Sequence, residues 1–274
     1  MLKPITLLTI VHNRERALFN QLDAVGLSSV LPKEVIVVRM NEEILPLPPH
    51  PYPIRQISLH TKDGLNLAAA RNYALQYSHS EKNVFLDVDC IPAPTLIEEY
   101  LNALEGEDRL VSGRVRYLSS DETASLDLSK NLFKHSEADP IRPENKDYTH
   151  ETFWTLNFGC TKRTFYHIGG FDETYTGYGA EDTDFAFEAR KQGIDVLTID
   201  ATVFHQYHPS YSPPLNHLED ILKNANVFYK KWGEWPMEGW LKAFEQRGYI
   251  HCSKSGTTLL RRPTNEEIDA TLKK

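Results

Sequence analysis

Residues 83–94 read NVFLDVDCIPAP. Residues 83–88 have the apolar content of a buried strand, and Pro92 and Pro94 stop the chain from running on. At the mouth of that strand Asp87 and Asp89 flank a single valine, Val88. Two carboxylates so close repel each other, and their position asks for a reason. Carboxylates at i and i+2 after a strand can both reach one hard divalent cation, which prefers oxygen ligands. A cation removes the repulsion and can then hold a diphosphate. The plainer alternative is a loop with two solvated acids, and the position of the triplet at the end of a strand that leads into a helix favours the cation.

Working upstream, residues 5–11 read as another buried strand. Residues 14–27 carry Ala17, Leu18, Leu22 and Val25 on a helical stripe. Residues 34–38 (EVIVV) form a further strand. Residues 44–53, ILPLPPHPYP, hold five prolines and must be irregular. A strand over 54–59 follows. Asn66 is placed to cap a helix through Tyr77, with Leu67, Ala70, Ala74 and Leu75 on one face. Alternating strands and helices predict parallel pairing, right-handed crossovers and an α/β doubly wound sheet. Ligands of such sheets bind beyond the carboxyl ends of the strands. Asp87 and Asp89 fall at that edge, and so do His12, Asn13 and Arg14.

Downstream, residues 110–117 read as a strand. Residues 119–150 are polar and broken by prolines, which predicts a mobile or acceptor-side loop. Residues 153–160 (FWTLNFGC) mix aromatic and polar side chains. A helix over 182–192 should close at Gly193. A strand over 196–204 ends at His205. Residues 217–232 and 237–247 have the pattern of two amphipathic helices, and the tail suggests a short hairpin and a charged terminal helix.

Composition excludes some classes. The 274 residues carry a formal net charge of −8, which gives nucleic-acid binding little electrostatic support. Three cysteines, Cys90, Cys160 and Cys252, show neither metal-ligand spacing nor a disulfide framework, as expected of a reducing cytoplasm. The apolar run at the N-terminus meets charge by Arg14 and has no small-residue cleavage site, so it reads as a core strand, not a signal peptide. No stretch reaches the length of a membrane span. Membrane contact would have to come through a partner or a lipid-linked acceptor.

Three further constellations carry chemistry. Asp172, Glu173, Glu181, Asp182 and Asp184 put five acids within thirteen residues. One or two suit a helix N-terminus; five are more than capping needs. A general base would gain from such a site if burial and a neighbouring carboxylate raised its pKa. His205 and His208 lie just past a strand end, and neutral imidazole is a common metal ligand. A structural role for each histidine is the alternative. Arg71 lies beside an apolar helix face. Its head either snorkels to water or reaches a phosphate in the crevice.

Taken in order, these segments resemble the GT-A glycosyltransferases, of the family 2 type with a galactosyltransferase-like C-terminal half. PITLLTIVHNRERA is similar to the opening strand and nucleotide-side loop of that family. NLAAARN and VFLDVDCIP are similar to its helix and Asp-x-Asp metal motif. NFGCTKRTFYHIGGFDETYTGYGAEDTDFAFEARKQG is similar to its acceptor-side segment. The resemblance implies a Rossmann-like mixed sheet flanked by helices over residues 1–210. Within it, 1–118 would be the nucleotide-sugar half and 119–210 the acceptor half, with a small helical extension over 211–274.

The resemblance also implies roles. Asp87 and Asp89 would hold Mn²⁺ or Mg²⁺ against a nucleoside-diphosphate sugar, Asp89 more directly. His205 would be the third protein ligand, with His208 in reserve. Ile10, Val11, His12, Asn13, Arg14 and Val88 would line the nucleotide, and Arg71 would face the same crevice. Many relatives place an acid after the second strand; here Arg39 and Met40 precede Asn41 and Glu42, which are left to take its place. Asp182 would be the base for the acceptor hydroxyl, and Glu181 would help to bind the acceptor. Trp154 and Tyr178, with Asn157 and Gly179, would form the acceptor surface. The implied reaction is metal-dependent transfer of a sugar, UDP-linked, to a carbohydrate or lipid-linked hydroxyl with inversion. Two alternatives share part of the pattern: a metal-dependent phosphoesterase, and a sugar- or nucleotide-binding protein on a degenerate transferase fold.

Overall fold

The computed structural model describes residues 4–62, 64–106, 108–253 and 255–273. The chain opens with β1 (Ile5–Val11), α1 (Glu15–Val25), β2 (Glu34–Met40), β3 (Ile54–Leu59), α2 (Leu67–Tyr77) and β4 (Lys82–Leu86). Every residue of β1, β2 and β4 is buried, as expected of parallel strands with both faces of the sheet covered. Successive side chains point to opposite faces. Ile5, Leu7, Val35, Val37 and Val84 therefore pack with α1 on one side. Leu8, Ile10, Ile36, Val38 and Phe85 pack with α2 on the other. Asn66 caps α2 as expected, its Oδ1 accepting from Ala69 N at 2.8 Å.

The chain continues through β5 (Cys90–Pro92), α3 (Leu96–Ala103), β6 (Leu110–Leu118), α4 (Ser120–Ala124), β7 (Ser136–Ala138), β8 (Asn157–Thr161), α5 (Lys162–Ile168), α6 (Glu181–Lys191) and β9 (Val196–His205). One sheet has the order β3-β2-β1-β4-β8-β6-β9-β5, with β7 on β6. The strands from β3 to β4 are parallel, as the alternation predicts. β8 runs antiparallel to both β4 and β6, so the sheet is mixed. Because two reversals cancel, β6 and β9 point the same way as β4, and their carboxyl ends lie at the same edge as Asp87 and Asp89.

Two local expectations are corrected. The strand read over 83–88 ends at Leu86, and a second short strand, β5, follows over residues 90–92, ends at Pro92 and pairs antiparallel with β9 in the register Cys90↔His205. Residues 119–150 are not a loose loop. Arg142 Nε binds Asp139 Oδ2 at 2.9 Å, both side chains buried, and Arg116 Nη2 donates to Ser136 O at 2.7 Å.

Beyond the sheet come β10 (Ser210–Tyr211), α7 (Leu218–Trp232), α8 (Glu238–Gln246), the hairpin β11 (Ile250–Ser253) with β12 (Gly256–Leu259), α9 (Asn265–Asp269) and β13 (Leu272–Lys273). β13 returns to pair with β10. No helix among the described residues is long and apolar enough to cross a membrane.

Candidate active site

The pairing of β5 with β9 builds the centre of the site. It places Asp89, one residue before β5, against His205, the last residue of β9, and Gln206 N donates to Asp89 O at 2.7 Å. Nε2 of His205 and Nε2 of His208 each lie 3.5 Å from a different oxygen of Asp89. One ligand atom from each of the three residues falls within 4.8 Å of the others. The His205 ring leans on Tyr117 at 5.2 Å. Burial lowers the pKa of His208 and so favours the neutral, ligating imidazole. Both histidines thus meet Asp89, where the resemblance implied one.

Asp87 faces elsewhere. Its Oδ1 lies 3.3 Å from Arg71 Nη2, while Arg71 Nη1 donates to Glu181 Oε1 at 3.1 Å. Arg71 is only 4% exposed, so it reaches the crevice and does not snorkel. It ties the end of β4 to the start of α6. Asp182, next to Glu181 and half-buried, has no cation of its own among the described residues; its Oδ1 accepts from Thr183 N at 2.7 Å. Burial first, and Glu181 second, push its carboxyl up from 3.8 to about 7. That range suits a general base.

On the nucleotide side the ends of β1 and β2 are tied together. His12 Nδ1 donates to Met40 O at 2.8 Å, and its Nε2 accepts from Asn13 Nδ2 at 2.9 Å. Glu42 takes the Asn13 backbone N–H and pairs with the buried Arg39 at 3.0 Å. Asn41 is spent on the segment after β3, accepting from Thr61 N at 2.8 Å and donating to Gly64 O at 3.2 Å. Arg14 Nη1 stands 3.9 Å from Asp89. A cleft of about 470 Å³ runs past Arg14, Arg16, Asp89, Thr123 and Tyr207. Ile10, Val11 and Val88 are core side chains and can offer a ligand only their backbone.

On the acceptor side the structure separates the candidates. Asn157 is a core residue, 1% exposed. Its amide accepts from Tyr100 Oη at 2.8 Å and donates to the carbonyls of Arg114 and Ala201 at 3.1 and 2.8 Å; the expectation that it binds acceptor is corrected. Trp154 has the Arg142 guanidinium 4.1 Å over its ring. Tyr178 remains 38% exposed, and burial followed by Asp182, Glu181, Asp87 and Asp89 pushes its hydroxyl up to about 12. That hydroxyl therefore stands within the field of all four acids. Gly179 lends its carbonyl to Asn224 at 2.9 Å.

Residues 6–173 match the model of glycosyl transferase family 2. The chain belongs to that family. Residues 140–210 also match a model described as the N-terminal domain of galactosyltransferase. A stretch of 79 residues is 43% identical to validoxylamine A glucosyltransferase from Streptomyces hygroscopicus subsp. jinggangensis, covering 29% of this chain and 18% of that protein. The chain thus spans about a fifth of that curated relative. Among solved structures, the mannosyltransferase PcManGT from Pyrobaculum calidifontis, in complex with GDP-Man and Mn²⁺, superposes with a TM-score of 0.57 at 14% identity, over 89% of this chain and 69% of that one. TarS from S. aureus gives 0.58 at 15% identity, over 90% and 43%. At such identities the likeness is one of fold, the GT-A fold.

Reading this family 2 chain as sequence missed three residues at the site. Gln206 lies between the two histidines and was passed over for them. His217 stacks on Tyr178, with ring centroids 4.4 Å apart. Asn224 sits on the apolar face of α7, three residues after Ile221 and four before Phe228. A polar residue on that stripe was the signal that could have found it.

Proposed function

We propose that this chain moves a sugar from a nucleoside-diphosphate sugar to an acceptor hydroxyl, with a divalent cation bound and with inversion at the anomeric carbon. The observation that carries the reading is the convergence of Asp89, His205 and His208 within 4.8 Å beside Arg71 and the Glu181–Asp182 pair. One carboxylate and two imidazoles are a fitting donor set for Mn²⁺, and two nitrogens make them a poorer one for Mg²⁺. When bound, the cation stabilises charge that develops on the departing diphosphate.

The chain's own groups supply the rest. Asp87, oriented by Arg71, is an organising acid at the donor and not a further metal ligand. Arg14 and the backbone of residues 10–13 border the nucleotide. UDP-linked sugars are the first donors to test, and GDP-linked ones the second, given the likeness to the mannosyltransferase. Asp182 takes the proton as the acceptor oxygen forms its bond to the anomeric carbon and the bond to the diphosphate oxygen breaks. Such a base is worth typically about 10²–10⁴-fold. Attack from the side opposite the leaving group inverts the centre. Tyr178, reaching toward the acids, borders the acceptor.

Calorimetry with UDP, with and without Mn²⁺, tests the reading. The unmodified chain should bind UDP only with the metal present. Asp89→Ala should weaken that binding by at least about 100-fold while the far-UV spectrum stays unchanged. UDP affinity that ignores both the metal and this substitution would refute it.

A further inference from the structure

We infer that Asn224 is a positioning residue for the base: α7, which lies beyond both family matches, holds the loop from which Glu181 and Asp182 project. This rests on the transferase reading above. Asn224 Nδ2 lies 3.1 Å from Thr176 O, 3.2 Å from Tyr178 O and 2.9 Å from Gly179 O. Two N–H hydrogens therefore serve three carbonyls of one loop. The residue is 1% exposed, and its own Oδ1 is buried with no hydrogen-bond partner among the described residues. Turning the amide over would set oxygen against three oxygens, so the partners fix its orientation. An amide buried with its acceptor unanswered is kept for its donors.

The loop needs holding. Gly177, Gly179 and Ala180 have φ of +75°, +94° and +75°. Ala180 is the one of the three that bears a Cβ, in a region that L residues avoid. Its side chain is buried with Tyr175, Phe187 and Phe228, and Phe228 is one helical turn beyond Asn224. A Cβ on Gly177 would come within 2.3 Å of the Asp220 carboxylate, and one on Gly179 within 2.7 Å of Met237 Sδ. The loop thus lies flush on α7 and on the start of α8. Ala180 O accepts from Asp184 N at 2.9 Å, within the first turn of α6. Its placement fixes where Glu181 meets Arg71 and where Asp182 points. A shift of about 1 Å in a reacting group can cost about 100-fold.

The rival account is that Asn224 merely fastens the C-terminal segment. Asn226, on the same helix, separates the two. It binds Thr257 of β12, donating to Oγ1 at 2.9 Å and accepting from N at 2.8 Å, and among the described residues its hydrogen bonds all go to Thr257 and not to the loop. Asn224→Asp and Asn226→Asp are compared for sugar transfer, donor KM and UDP binding with Mn²⁺. Asn224→Asp should lower kcat by about 10- to 100-fold and leave donor KM and UDP affinity within about twofold. Asn226→Asp should lower the melting temperature and leave kcat within about twofold. If Asn224→Asp does not fold, Asn224→Ser, which keeps one donor hydrogen, enters the same comparison and should lose less. Equal losses of kcat in the two positions, or a change confined to donor KM, overturn the inference and leave the transferase reading standing. Absence of transfer by the unmodified chain overturns both.

Discussion

Asp182→Asn should make the protein more stable and less active, and the stability gain should depend on pH. The carboxyl is half-buried beside Glu181, and Arg71 is committed to Asp87 and Glu181. Burial and Glu181 raise it from 3.8 to about 7. Below pH ~4 the group is protonated in both folded and unfolded chains. Between pH ~4 and the folded value the unfolded chain has lost the proton and the folded chain keeps it, so stability falls as pH rises. Above the folded value both are ionised and the loss is complete. At about 1.4 kcal/mol per pH unit, the interval from 3.8 to about 7 sets a ceiling of about 4 kcal/mol. Partial exposure reduces this to roughly 1–2 kcal/mol. Asparagine keeps the shape and the oxygen that accepts from Thr183 N, and it cannot ionise. Thermal unfolding at pH 8 should therefore show the variant higher by about 2–8 °C, and the difference should close toward pH 4. Transfer should drop about 10²–10⁴-fold with Mn²⁺-dependent UDP binding retained. A variant that is less stable at pH 8, a gain that is the same at every pH, or undiminished turnover would refute the reasoning.

Other substitutions test the frame around the site. Arg71→Met leaves the half-buried Asp87 and the buried Glu181 without their cation and should cost roughly 2–4 kcal/mol in chemical unfolding at pH 8, and less at pH 5, where Asp87, its pKa raised chiefly by burial, more readily takes up a proton. Gly113→Ala puts a Cβ 2.1 Å from Ala201 O and 2.3 Å from the Asn157 amide; a loss of at least about 3 kcal/mol is expected, and a wild-type melting temperature would show that β6 and β9 can separate there.

Much of this arrangement is legible in the sequence where the signal is local. The runs of β1, β2 and β4 are dominated by Val, Ile, Leu and Phe, Asn66 caps its helix, and Asp89 and the two histidines each sit at a strand exit. What was hidden depends on long-range pairing. β5 is three residues ending in Pro92, too short to show a period and bearing the residue that reads as a stop. Its partner β9 supplies the hydrogen bonds, and the pairing brings Asp89 to His205. Asn157 looked like a ligand-facing amide because its three partners lie 43 to 57 residues away. Asp87 is expected from the resemblance to share the cation with Asp89, less directly; Arg71, sixteen residues upstream, meets its Oδ1 at 3.3 Å.

The charge balance of the site explains why these pieces belong together. Asp87, Asp89, Glu181 and Asp182 bring four carboxylates to one edge of the sheet, against the buried Arg71 and the more exposed Arg14. Arg71 is paired with Asp87 and Glu181, and its charge only partly offsets the burial and the Glu181 repulsion that raise Asp182. Asp89 instead faces two imidazoles, which without a proton bring ligating lone pairs and no charge. Asp182 meets the deficit by holding a proton to about pH 7. A buried cluster with more acids than cations is unfavourable unless a further positive charge or a proton joins it. A dication at Asp89 and a proton that passes through Asp182 are the two additions that the proposed transfer would make. In this view the imbalance posed by the paired aspartates at the mouth of β4 is the feature that fits the site to its proposed chemistry.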